Sequence, residues 1–276
     1  MNQIKQKTDY ILVTALVLSV FFGASISFGF RVMGIVITLF RFAIPLLFAA
    51  FVYRAYNKKR LSFESLEKSF LLLLLIWFLY AIFLMFFRGF VSDKDAIREL
   101  LQLVLQFFVA ASVLLAIKVE GMEEKIIQIC KFSIVVLTAI GIFEIMTGIH
   151  LPTSSYFNVS AMANSTSNPP SVATGIFFNE NDYCACLALF SPLFFPQVGK
   201  NLSVNILRMI ELSLMEFILL KDDAIICLFG IFLGLVFYSV FATVKYRWLI
   251  AGGIYAFVLE KTIMAFSLKR GAGKGL

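Results

Sequence analysis

Charged residues are scarce in this chain. Only 15% of its 276 residues are Asp, Glu, Lys or Arg, whereas 61% are hydrophobic, and the mean hydropathy is +0.92. An ordinary soluble domain is about 45–50% apolar. The shortage of charge therefore excludes a soluble globular protein and indicates a chain that lies mostly within a lipid bilayer.

Motifs that bind metals or nucleotides are also missing. No Cys-x-x-Cys spacing occurs, and the cysteines fall in apolar stretches, which is typical of packing thiols. No glycine-rich phosphate loop follows a strand, so we expect neither a cofactor nor a metal. The net charge of +7 does not predict nucleic acid as a partner, because the basic residues cluster at the ends of apolar runs, as in membrane proteins. The four cysteines are Cys130, Cys184, Cys186 and Cys227.

Long apolar runs fill most of the sequence, and they do not alternate as the strands of a membrane barrel do. Each transmembrane helix needs about 20 apolar residues. The sequence therefore predicts an all-α, polytopic transmembrane helical bundle of about 8–9 spans, forming a single membrane domain over residues 1–276. The candidate spans are 10–28, 34–52, 69–87, 101–119, 126–147, 182–195, 206–220, 224–244 and 248–266.

Lysine and arginine in the loops predict the orientation of the chain. Cytoplasmic loops of membrane proteins are enriched in both residues, so the two densest clusters are assigned to the cytoplasm together with the N-terminus. The loops 28–34, 88–100, 148–181 and 221–223 then face outward. The seventh and ninth spans carry internal charges, so each is open to being a half-span or an interfacial helix. The two clusters comprise Arg54, Lys58, Lys59, Arg60, and Lys118, Lys125, Lys131.

Three arginines are candidates for binding an anion. Arg41 lies near the middle of the second predicted span, where an unpaired guanidinium costs about 2.5–3.5 kcal/mol. Its planar fork suits a phosphate or a carboxylate, although an internal ion pair would also explain it. Arg88 and Arg98 bracket an outward loop, against the usual charge bias, which favours a bound phosphate; interfacial anchoring is the alternative.

Glu144 lies towards the outer end of the fifth predicted span, six residues before His150, the only histidine. An acid and a histidine at this spacing would act as a base and its partner if the helix continued to His150. Gly148 and Pro152 instead predict that the helix ends first. An interfacial glutamate and a separate loop histidine are the alternative.

The outward loop 148–181 contains an uncharged stretch, residues 151–174, rich in the hydroxyl and amide groups that suit sugar hydroxyls. It leads into Asn179-Glu180-Asn181-Asp182, which opens the sixth predicted span. Asn181 or Asp182 is expected to cap the helix. Two amides and two acids exceed what a cap requires, and the helix N-terminus favours anions, so these residues predict a site.

The motif GIFFNEND at 175–182, preceded by FEIMTGIHLP at 143–152 and by Ser154-Ser155-Tyr156, resembles the O-antigen ligase and polymerase superfamily. The likeness is greatest to membrane proteins of teichuronic acid biosynthesis. It extends over about residues 70–268 in hydropathy, and its motifs lie within about 141–195. It implies a glycosyltransferase, independent of metal, that transfers or polymerises glycans carried on polyprenyl diphosphate at the extracytoplasmic face of the cell membrane.

The resemblance also implies roles and partners. The implied partners are a lipid-linked glycan, membrane lipids and other polysaccharide-assembly proteins. The turn 220–224 lacks the Ser-Arg pair of the family, and no large extracytoplasmic loop follows residue 268, so an inactive chain or half of a shared site is also expected. The alternatives are a transporter or flippase for a lipid-linked or anionic solute, with Arg41 lining the path, and a non-catalytic assembly subunit. The candidate catalytic residues are His150, Glu144 and Asp182, and those for binding diphosphate or glycan are Arg41, Arg88, Arg98, Asn179, Asn181 and Lys221.

Overall fold

The computed structural model describes residues 2–23, 26–32, 35–57, 63–87, 94–119, 121–157, 172–197 and 199–241. Within these ranges the chain is mostly helical. The boundary between its two compact units, Met1–Val136 and Leu137–Leu276, falls inside the fifth helix. The helices are α1 (Asn2–Phe22), α2 (Leu39–Asn57), α3 (Ser65–Phe87), α4 (Lys94–Ile117), α5 (Met122–Thr147), α6 (Glu180–Phe190), α7 (Leu202–Lys221) and α8 (Ile225–Phe241).

Among the described residues, four helices are long and apolar enough to cross a membrane: α2, α3, the Ala96–Ile117 part of α4, and α5. None of the 23 residues of α3 is buried inside the protein, although α3 is one of the most apolar helices. A helix that is apolar on all sides and exposed on all sides is typical of contact with lipid. These helices support a membrane protein of the predicted all-α class.

In the N-terminal unit, α2 packs against α1 and α4, and α3 packs against α4. The rings of Phe48 and Phe108 stack between α2 and α4, with centroids 4.5 Å apart. The core of this unit is made of large aliphatic and aromatic side chains, since each helix places one apolar face towards its neighbours. The buried side chains include Val13, Leu16, Phe21, Phe40, Ile44 and Leu105.

Two ion pairs join helix ends within the N-terminal unit. Arg54, in the last turn of α2, contacts Asp9 of α1 at 2.5 Å. Lys118, just after α4, contacts Glu67 in the first turn of α3 at 2.8 Å. Asp9 and Arg54 line a small cavity with the end of α4 and with Met122, the first residue of α5. The first half of α1 and the end of α2 therefore lie close to the end of α4 and the start of α5. Arg54 and Lys118, two of the basic residues predicted to be cytoplasmic, lie in this region.

The second span does not begin where the sequence predicts. Residues Ser27–Val32 and Ile35–Thr38 form two antiparallel strands, β1 and β2, and α2 begins only at Leu39. Thr38 caps α2 by accepting a 3.3 Å hydrogen bond from the Arg41 backbone N–H. Arg41 is therefore the third residue of the helix. The prediction that it lies near the middle of the span is wrong, and the insertion cost of a central arginine does not apply.

The sixth predicted span is not one continuous helix. α6 has 11 residues and is followed by a four-residue 3₁₀ turn, Ser191–Phe194, which contains Pro192 near its start. Proline lacks the N–H that an α-helix needs. At roughly 1.5 Å per residue α6 extends about 16 Å, which is too short to cross a bilayer core of about 30 Å.

Side chains of α7 and α8 bind the backbone of residues 195–197, after the 3₁₀ turn. Arg208 donates to the Phe195 carbonyl at 3.2 Å, and the Tyr238 hydroxyl donates to the Pro196 carbonyl. The Asn205 amide pairs with both backbone groups of Gln197, at 3.0 and 3.1 Å. Irregular backbone in a membrane protein requires such partners. The ninth predicted span, 248–266, lies outside the described residues.

Candidate functional site

Glu144 is completely buried in the last turn of α5, and backbone amides of two segments surround its carboxylate. Oε2 accepts hydrogen bonds from the N–H groups of Thr174 and Gly175, both at 2.7 Å. Oε1 accepts a third from the Leu151 N–H at 3.3 Å. A carboxylate is an acceptor with room for several donors, and charge-assisted bonds to amides are strong. Glu144 therefore ties Leu151 and the segment 174–175 to the end of α5.

His150 lies beside Glu144 although the helix does not continue to it. α5 ends at Thr147, as predicted, and Gly148 takes a φ of 67° while its N–H donates to the Glu144 carbonyl at 2.8 Å. This left-handed turn favours glycine. It folds the chain back and places His150 Nδ1 3.7 Å from Glu144 Oε1, with both side chains 0% exposed. The two residues meet through a turn and not along a helix face.

Asp222 is a second carboxylate that binds the same stretch of backbone. It caps the C-terminus of α7, and its Oδ1 accepts from the Ala173 N–H at 2.9 Å. The Cys184 thiol donates to Oδ2 at 3.5 Å. Burial raises the pKa of Asp222 to about 6, against the effect of these two hydrogen bonds, and the nearby negative charges of Glu180 and Glu144 add to the rise.

Tyr156 connects the chain that follows α5 to α6. Its hydroxyl donates to Glu180 Oε2 at 3.2 Å, and its ring lies 5.5 Å from that of His150. The backbone supports this contact, since the Ser155 N–H donates to the Phe178 carbonyl at 2.8 Å. The pKa of Tyr156 is raised, first by burial and then by the charge of Glu180.

Asn179 caps α6, so the prediction that Asn181 or Asp182 would cap it is wrong. The Asp182 backbone N–H donates to Asn179 Oδ1 at 2.8 Å, and Asn179 Nδ2 donates to Asp182 Oδ2 at 3.1 Å. This reciprocal pairing leaves both side chains at the start of the helix, and it resembles a capping box. The side chains of Asn181 and Asp182 are exposed.

Tyr183 is the largest completely buried side chain of the chain's described part. It extends from α6 between two glycines, and a Cβ added to Gly141 would lie 2.2 Å from its hydroxyl, while one added to Gly175 would lie 2.9 Å from its ring. The hydroxyl donates to the Leu137 carbonyl of α5 at 2.7 Å. Tyr183 thus fixes α6 against α5 and against the segment held by Glu144.

The structure brings some of the candidate residues together and keeps others apart. The structure brings Glu144 and His150 together in the interior and places Asn179 next to Asp182 at the start of α6. Lys221 is exposed at the end of α7, with its Nζ 5.8 Å from the Phe217 ring. Arg41 and Arg98 belong to the N-terminal unit, where Arg41 is half-buried and Arg98 is exposed. Arg88 lies outside the described residues.

Sequence reasoning missed four residues of this region: Tyr156, Glu180, Tyr183 and Asp222. Tyr156 and Glu180 stand within or beside the quoted motifs, so the motifs already indicated them. Nothing in the local sequence indicates that Asp222 would bind Ala173, because these residues are 49 positions apart. Within the described ranges, no group of three or more His, Cys, Asp or Glu side chains has an arrangement that could hold a metal ion.

Comparisons of this chain with protein-family models, with curated proteins and with solved structures find no match.

Proposed function

We propose that this chain is a multi-pass membrane glycosyltransferase or polymerase of cell-surface polysaccharide assembly, which uses a polyprenyl-diphosphate-linked glycan at the extracytoplasmic face. The observation that supports it most directly is the pair of carboxylates, Glu144 and Asp222, that hold the segment leading into Asn179–Asp182. This is the part of the chain that resembles the O-antigen ligase and polymerase superfamily. The rigid backbone presents the exposed amide and acid of Asn181 and Asp182, as recognition of sugar hydroxyls requires.

The proposed orientation follows from α5. Lys125 lies in its first turn and Glu144 in its last, about 29 Å apart at 1.5 Å per residue, which is close to the thickness of a bilayer core. If the basic end faces the cytoplasm, Glu144 and the residues bound to it lie at the outer face. The N-terminus is then cytoplasmic, and we retain a bundle of about 8–9 spans as part of the proposal.

The proposed reaction is a substitution at the anomeric carbon of the donor sugar. The acceptor hydroxyl oxygen forms the new glycosidic bond, the bond between the anomeric carbon and the diphosphate oxygen breaks, and the hydroxyl proton passes to a base. Asp182 is the candidate base because its side chain is exposed, whereas Glu144 and His150 are completely buried. The leaving diphosphate gains one negative charge, which a cation stabilises, and Lys221 is the candidate cation in the C-terminal unit.

Two other functions compete with this proposal. The prediction of a transporter or flippase depended on an arginine near the middle of a span. Arg41 lies in the first turn of α2 instead. A non-catalytic assembly subunit is favoured by one observation, the absence of the Ser-Arg pair from the turn 220–224. The experiment below distinguishes this subunit from an enzyme.

The test is deletion of the gene, complementation by the chain or its variants, and sizing of the surface polysaccharide. We expect deletion to remove long chains, and the wild-type chain to restore them. Asp182→Asn and Lys221→Ala should each restore little or no long polysaccharide at equal membrane abundance. Asp223→Asn and Lys200→Ala are the matched controls, because each replaces an exposed residue of the same charge, and both should restore full length.

Each outcome has a distinct meaning. Unchanged polysaccharide after deletion would reject the proposal. Restoration by Asp182→Asn and Lys221→Ala as complete as by the wild type would favour a non-catalytic assembly subunit, since neither group would then take part in chemistry.

A further inference from the structure

We propose that Glu144 and Asp222 are positioning residues that fix the backbone of residues 173–175 and thereby set the place of Asn181 and Asp182 at the glycan. This inference rests on the proposed function and deepens it. It assigns to Glu144 a role different from that of a catalytic base, and it adds Asp222, which no sequence motif indicated.

Three consecutive backbone amides donate hydrogen bonds to the two carboxylates. The N–H of Ala173 binds Asp222, and those of Thr174 and Gly175 bind Glu144, at 2.9, 2.7 and 2.7 Å. The two carboxylates come from different helices, α7 and α5. A buried N–H without an acceptor costs about 1–3 kcal/mol, so the segment has a single favourable position between the two helix ends.

Further backbone hydrogen bonds connect this segment to the exposed residues. The Phe177 N–H closes a turn onto the Thr174 carbonyl at 2.9 Å, and the Phe178 carbonyl accepts from Ser155 at 2.8 Å. Asn179 then caps α6, which carries Asn181 and Asp182 in its first turn. The contacts are distributed along the whole stretch, so a displacement at residues 173–175 reaches Asp182.

The Glu144 carboxylate is not accessible to a substrate. Glu144 has no exposed surface, and its two oxygens already accept three backbone hydrogen bonds. A group in this state does not reach an acceptor hydroxyl at the surface. Its effect on transfer must therefore pass through the backbone that it holds, and a displacement of about 1 Å at a reacting group is sufficient to cost on the order of 100-fold in rate.

The experiment uses the full chain reconstituted in phospholipid vesicles. Hydrogen exchange is followed in a peptide covering residues 172–183, and glycan transfer is followed while the concentration of a synthetic polyprenyl-diphosphate glycan is varied. Glu144→Gln replaces one acceptor oxygen by an NH₂ donor that faces backbone donors. Glu124→Gln is its matched control, because Glu124 is an exposed glutamate in the first turn of the same helix.

Asp222 provides an independent pair of variants. Asp222→Ala removes the acceptor for the Ala173 N–H, whereas Asp222→Asn keeps an acceptor oxygen. We expect faster exchange at 172–183 and a rise of roughly tenfold in the half-saturating glycan concentration for Glu144→Gln and Asp222→Ala. The maximal rate should fall as well, by up to about 100-fold, because the displaced Asp182 is the proposed base. Glu124→Gln should behave as the wild type, and so should Asp222→Asn below about pH 6, where the wild-type carboxyl is protonated too.

The outcomes separate the two proposals. Unchanged exchange in Glu144→Gln and Asp222→Ala would overturn the positioning role, and so would faster exchange with an unaltered half-saturating concentration. In both cases glycan transfer by the wild type would leave the proposed function standing. A wild-type chain that transfers no glycan would overturn the proposed function and, with it, the role of these residues towards a glycan.

Discussion

The hydroxyl of Tyr183 donates a 2.7 Å hydrogen bond to the backbone carbonyl of Leu137, in the middle of α5. That carbonyl lies in a regular helix, so Tyr183 reaches it only because the helix carries no side chain at Gly141, one turn further along. The contact therefore depends on the absence of a methyl group at one position.

Gly141→Ala is expected to destabilise the protein, although alanine normally favours a helix over glycine. The new Cβ would lie 2.2 Å from the Tyr183 hydroxyl, and overpacking of this kind costs about 1–3 kcal/mol. Gly230→Ala in α8 is the matched control, because a Cβ there meets no atom within 4 Å. Thermal unfolding in detergent should give a lower Tm for Gly141→Ala only. Equal Tm values for the two variants would contradict this packing.

Gly175→Ala should destabilise the protein more than Gly199→Ala does. Both glycines have a positive φ, 55° and 80°, so both substitutions carry a backbone cost of about 1–2 kcal/mol. Only Gly175 has a neighbour, the Tyr183 ring 2.9 Å from the position of an added Cβ. The difference between the two Tm values therefore measures the steric term alone. A larger effect at Gly199 would show that the ring does not limit residue 175.

Asp222 should make stability depend on pH in an unusual direction. Its pKa rises on folding from an ordinary 3.8 to about 6, so the folded state favours the protonated form. The contribution of protonated Asp222 to the free energy of unfolding is therefore complete below about pH 3.8, and it is lost as the pH rises through about 6. Asp222→Asn stays neutral and keeps an acceptor for Ala173. Its Tm relative to the wild type should therefore increase between pH 4 and pH 7.

The control for this titration is Asp223→Asn, which changes the neighbouring exposed carboxylate. Asp223 has a φ of 51°, a conformation that asparagine tolerates, so the backbone should not be disturbed. This variant removes one exposed carboxylate and leaves the contact between Asp222 and Ala173 in place, so its difference in Tm from the wild type reports the effect of surface charge alone. A difference that varies as strongly as that of Asp222→Asn would assign the effect to general surface charge.

Asn179 and Asn181 should separate stability from activity. Asn179→Ala removes the cap of α6 and should cost about 1 kcal/mol, whereas Asn179→Ser keeps an acceptor oxygen for the Asp182 N–H and should cost less. Asn181→Ala removes an exposed side chain and should leave the Tm unchanged while it shortens the surface polysaccharide. A loss of Tm in Asn181→Ala equal to that in Asn179→Ala would contradict the assignment of the cap.

The sequence was most informative where a single physical property dominates. Uninterrupted apolar runs correctly indicated α3 and α5, and Gly148 correctly ended α5 at Thr147, because burial in lipid and backbone geometry are local requirements. The β-branched residues Val36, Ile37 and Thr38 were a signal for β2 that the apolar pattern obscured. Pro192 was likewise a signal that α6 would be short.

Tertiary contacts account for what the sequence did not indicate. In the sequence alone, Glu144 has the character of an interfacial acid. In the structure its carboxylate binds the amides of Thr174 and Gly175, which are about 30 residues away. Asp222 reads as part of an exposed charged turn until Ala173 is bound to it. Neither pairing could be predicted from a periodic pattern in the sequence, because both depend on how α5, α6 and α7 pack against each other.

The turn between α6 and α7 shows where mutations should be tolerated. Gln197 contributes only its backbone N–H and carbonyl to the pairing with Asn205, and its own side chain is exposed. Any residue except proline would supply the same two groups at position 197, whereas at position 205 the chain needs one side chain that donates and accepts together. The conformation of this turn is therefore determined by the side chain of Asn205, eight residues after Gln197.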